Sequence, residues 1–67
     1  MIQIVYKTNS GKKVVDTVEN KEEGARWIEE RAMLAKVIGL ATLKSKHMLH
    51  IIDSSEPLAI YYCRTVN

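Results

Sequence analysis

Three side chains in this sequence have the chemistry of soft metal ligands, or of a nucleophile with its base: His47, His50 and Cys63. A structural zinc site takes four such ligands, and a nucleophilic cysteine needs a base within hydrogen-bond reach and a third group to orient that base. The spacing of the two histidines suits one face of a helix, yet the residues around them, Met48 to Ile52, have strand composition. On a strand, residues three apart point to opposite faces, so joint ligation is not expected and no metal or cofactor is assigned. Cys63 and His50 stand on either side of a turn at Asp53 to Leu58, which would bring their strands together. Their offsets from that turn are unequal and no third residue is indicated, so an enzyme using Cys63 and His50 is the least favoured reading, and no catalytic residue is assigned. The glycines Gly11, Gly24 and Gly39 are scattered, and none joins a strand to a helix as a phosphate-cradling loop. No small-molecule ligand is indicated.

Basic side chains offer a second chemistry. Lys7, Lys12 and Lys13 crowd the tip of an expected N-terminal hairpin, while Lys44, Lys46, His47 and Arg64 lie beyond the expected helix. Two hairpins pointing the same way would merge them into one basic surface for nucleic acid, with Tyr61 and Tyr62 as candidates for base stacking. Against this, Glu19, Glu22, Glu23, Glu29 and Glu30 nearly cancel the lysines. The two tyrosines also alternate, so one of them must face the core. Nucleic-acid binding is the rival reading, not the favoured one.

The elements that would position these groups are legible in turn. Ile2 to Thr8 alternates at a period of two with β-branched and aromatic residues and reads as a strand. The turn formers Asn9, Ser10 and Gly11 lead into a second strand, Lys13 to Val18, and so to a β-hairpin. Parity places Val14 and Val18 on the face of Asp16, which sits badly in an apolar layer. Either an edge position or a β-bulge is needed there.

From Asn20 to about Gly39 the chain reads as one amphipathic helix. Asn20 is a favoured N-cap, Glu23 can reach back to the cap's backbone N–H, and Glu22 and Glu23 suit the positive end of the helix dipole. Gly24, Ile28, Arg31, Ala32, Ala35 and Gly39 form one stripe, with Trp27 and Ile38 at its edge. Gly39 is a natural stop, with continuation to about Lys44 as the alternative. Lys44-Ser45-Lys46 reads as a polar connector, His47 to Asp53 as a third strand, Asp53 to Pro57 as a turn, and Leu58 to Val66 as a fourth strand. The expectation is a single small α+β domain spanning 1–67, ββαββ in order, with one helix packed on an antiparallel sheet.

Composition sets the remaining bounds. At 46% apolar and 27% charged, the chain is too apolar for disorder, and a net charge of +2 demands no polyanionic partner. Sixty-seven residues make one domain whose core supplies only about 3–5 kcal/mol of net stability. A single cysteine excludes an intrachain disulfide, leaving oligomerisation as the natural source of help. No apolar run approaches the length of a membrane span and no signal peptide is evident, which fits a reducing cytoplasm. Between Ala32 and Leu40 only Lys36 is charged, so this half of the helix is apolar on more than one side and expects more than one cover. Met33, Leu34, Val37 and Leu40 are therefore the expected protein interface. The second hairpin or another copy of the chain must cover them, and the favoured reading is a non-enzymatic interaction or regulatory module, homodimeric, with a further protein as a second class of partner.

Overall fold

The structure, a computed structural model, describes residues 1–52 and 59–66. The turn expected at Asp53 to Pro57 and the start of the last strand at Leu58 lie outside the described residues. The elements are β1 (Ile2–Thr8), β2 (Gly11–Val18), α1 (Lys21–Val37), β3 (Thr42–Ser45), β4 (Met48–Ile51) and β5 (Ala59–Thr65). All pairings are antiparallel and the sheet runs β2-β1-β5-β4-β3, so each hairpin contributes one central strand, β1 or β5, to the seam that joins them. The expected α+β architecture is present, with β3 as a strand beyond the ββαββ order. Thr42–Ser45 was expected to be helix extension or connector. It pairs with β4 across a turn at Lys46 and His47.

The helix begins and ends as local chemistry dictates. Asn20 Oδ1 accepts from the Glu23 amide at 2.9 Å, and Glu23 Oε2 accepts at 3.0 Å from the amide of Glu19, one residue earlier than expected. At the other end the Leu40 amide donates to the Ala35 carbonyl and the Gly39 amide to the Lys36 carbonyl, a Schellman pair. It requires the left-handed conformation that Gly39 adopts at φ +85°. That settles the helix boundary at Gly39.

One face of the sheet receives the helix. Gly24 lets the two layers meet: a Cβ there would sit 3.0 Å from Cys63 Sγ and 3.5 Å from Ile2 Cγ2. Ile4, Ile28 and Leu49 are fully buried between the layers, with Ile2, Ala35 and Ala59 around them. The Asp16 question resolves through both of its alternatives at once. β2 is an edge strand, and its register shifts between Ile4 and Val5, so Asp16 pairs with Ile4 while Val14 pairs with Val5. The bulge turns Val14 and Asp16 to opposite faces, and on the helix side Asp16 Oδ2 accepts from Trp27 Nε1 at 2.8 Å.

Candidate interaction surfaces

Sheet parity separates Cys63 from His50. Cys63 pairs with Ile4 and faces the helix, whereas His50 pairs with Ile60 on the other face, so the Cys63–His50 pairing is ruled out by the pleat. It is His47 that shares a cleft with Cys63, a space of about 160 Å³ that Ile2, Lys21 and Thr65 also line. His47 Nε2 lies 3.2 Å from the Lys21 carbonyl oxygen, which holds the ring against the start of the helix. Burial pushes the Cys63 thiol above its ordinary value of 9.0, the opposite of what a nucleophile needs. Among the described residues no group of His, Cys, Asp or Glu is placed to hold a metal ion.

The raised thiol pKa has a consequence for stability. Below about pH 9 the folded and unfolded chains both hold the Cys63 proton. Above it the unfolded chain releases the proton first, so stability falls as pH rises towards the folded pKa. Cys63→Ala should therefore lose less stability than the wild type between about pH 8 and about pH 10 in urea titrations. Equal losses in the two proteins would refute the assignment.

The aromatic residues divide in the same way. Tyr6, Tyr61 and Trp27 cluster on the helix side, with ring centroids 4.6 Å apart for Tyr6–Tyr61 and 5.4 Å for Trp27–Tyr61. The Arg31 guanidinium caps the cluster, its Cζ 4.7 Å from the Trp27 ring centre. Arg31, counted in the buried stripe from its helical angle, is thus exposed but held on the aromatic pair. Tyr62 is on the opposite face, beside Val5 and Met48 in register.

Nor do Lys7, Lys12, Lys13, Lys44, Lys46 and Arg64 form one surface. Lys13 pairs with Tyr6 on the helix side, and a cleft of about 400 Å³ at the hairpin tip is lined by Tyr6, Thr8, Ser10, Gly11, Lys12 and Lys13. Lys44 is also on the helix side, its Nζ 2.7 Å from Glu29 Oε2. Lys46 lies in the β3–β4 turn. Lys7, Lys12 and Arg64 project from the helix-free face, where Arg64 Nε donates to Gln3 Oε1 at 3.1 Å. Position along the sequence could not reveal this division, because it depends on strand parity and on the bulge.

The expected protein interface divides less. Met33, Leu34 and Val37 are 60%, 56% and 82% exposed, and Ile38 joins them at 68%. Leu40 is half-buried and stands apart from them. Met33 with Val37, and Leu34 with Ile38, are one helical turn apart, so the four make a continuous apolar shoulder. Among the described residues nothing covers it. No helix among the described residues is long and apolar enough to cross a membrane. Comparison of the chain with known protein families, with curated proteins and with solved structures returns no match.

Proposed function

We propose that this protein is a small non-enzymatic interaction or regulatory module of the cytoplasm that self-associates as a homodimer through the shoulder formed by Met33, Leu34, Val37 and Ile38. The observation that carries the reading is the exposure of these four large apolar side chains at the end of one helix. Together they present several hundred Å², at the upper end of what soluble monomers leave uncovered. Two copies related by a twofold axis can lay this shoulder against itself, since such an interface uses the same patch twice. The area is small for a specific interface, so the expected affinity is micromolar rather than nanomolar.

Sedimentation equilibrium should give a dimer mass at about 100 µM protein, where mass action favours association. Leu34→Glu, which places a charge at the centre of the shoulder, should return the mass to that of the monomer and leave the helical circular dichroism intact. A wild-type protein that stays monomeric at that concentration, or a dimer that Leu34→Glu leaves unchanged, would sink the reading.

A further inference from the structure

We infer that the helix-free face of the sheet is a platform for single-stranded nucleic acid, with Tyr62 as the stacking residue and Lys7, Lys12 and Arg64 as the phosphate contacts. Strand register lays this face out in rows. One row runs Lys12, Lys7, Ile60, His50 across β2, β1, β5 and β4. The next runs Val14, Val5, Tyr62, Met48, and beyond it Gln3 stands beside Arg64. Within this row Val5 is fully buried, Tyr62 is half-buried, and Val14 and Met48 are exposed. An aromatic ring on such a row, between cations on either side, is the arrangement by which open sheets bind unpaired bases.

Charge supports the same occupant. The described strands carry no carboxylate on this face. Asp16 is turned by the bulge to the helix side and held there by Trp27. Glu22, Glu23, Glu29 and Glu30 are all on the helix, and Glu19 lies in the connection between β2 and α1. Lys7 and Lys12 are direct cross-strand partners, an arrangement that costs stability unless an anion lies between them. Neither is in an ion pair among the described residues. Arg64 is oriented by a neutral amide, Gln3, so its direction is set while its charge stays available.

Tyr62 differs from the other aromatic residues. Tyr6, Tyr61 and Trp27 are engaged with one another on the helix side, whereas the Tyr62 ring is half-buried on this face and meets no other aromatic ring among the described residues. A second copy of the chain fits poorly here, because a symmetric face-to-face pair would oppose two sets of these cations. Duplex fits poorly as well, because its base faces are already stacked.

Fluorescence anisotropy with labelled oligo(dT) and oligo(rU) of about 12 nucleotides tests the inference. Both should bind, with log K falling against log salt at a slope of about −2, as three phosphate contacts on a single strand require. Lys7→Gln/Lys12→Gln should reduce that slope by about 1.4, and Tyr62→Leu should weaken binding about tenfold at unchanged slope. Lys36→Gln removes the same kind of charge from the helix and should change affinity less than twofold. Leu34→Glu should bind as the wild type does, which separates this outcome from that of the dimer reading. Three results would overturn the platform: no binding at low salt, equal binding of duplex or heparin, or Lys36→Gln weakening binding as much as the double variant. A dimer lost on substituting Tyr62 or Lys7 and Lys12 would assign the face to a second copy instead. The double variant alters only exposed side chains, so the test survives even if Tyr62→Leu fails to fold.

Discussion

Ile28→Ala is expected to remove most or all of the net stability and to leave a substantial unfolded fraction at room temperature. Ile28 is fully buried at the centre of the only helix among the described residues, together with Ile4 and Leu49. Truncating such a side chain removes its transfer free energy and leaves a cavity, at a cost of about 2–5 kcal/mol. A domain of this size has only about 3–5 kcal/mol of net stability to lose, so one substitution consumes most or all of it. Ile28→Val serves as the control at about 0.5–1.5 kcal/mol and should stay folded with a lower urea midpoint. An Ile28→Ala protein that keeps wild-type circular dichroism and loses less than about 1 kcal/mol would mean that the helix does not seat on the sheet at this residue.

Trp27→Ala should be the second most damaging change, at about 3 kcal/mol. Here the loss is divided among three interactions. The indole ring packs beside Tyr61, it carries the Arg31 guanidinium, and its Nε1–H reaches Asp16 on the edge strand. Trp27→Phe retains the first two in large part and loses the third, so it should cost about 1 kcal/mol. Asp16→Ala should cost a similar amount, and the two should not add, since both remove the same hydrogen bond. A double-mutant cycle followed by urea unfolding measures the shared term; a coupling under about 0.3 kcal/mol would show that the bond contributes nothing to holding β2 in place.

Much of the fold is visible along the chain because it is locally encoded. The first hairpin follows from alternation and the Asn9-Ser10-Gly11 turn. The helix start follows from Asn20 and Glu23, and the helix stop from Gly39. β3 was missed for an equally local reason. It is four residues long, and the Lys46–His47 turn that pairs it with β4 contains none of the glycine or asparagine that marks tight hairpins. The doubly apolar end of the helix was legible as well, because helical periodicity alone shows that Met33, Leu34 and Val37 lie away from the buried stripe.

The composition of each surface was not encoded locally. Linear position grouped Lys12 with Lys13 and Cys63 with His50, but the pleat sends the members of each pair to opposite faces. A single extra residue in β2 reverses the parity that would otherwise put Asp16 and Val14 together, and so clears a carboxylate from the helix-free face. The sequence alone therefore determined the elements, their caps and the apolar surplus of the helix, because each depends on neighbours within a few residues. Tertiary structure decided which side chains share a surface, because that depends on strand register and on one bulge between strands, and a shift of one residue there changes the face of every side chain beyond it.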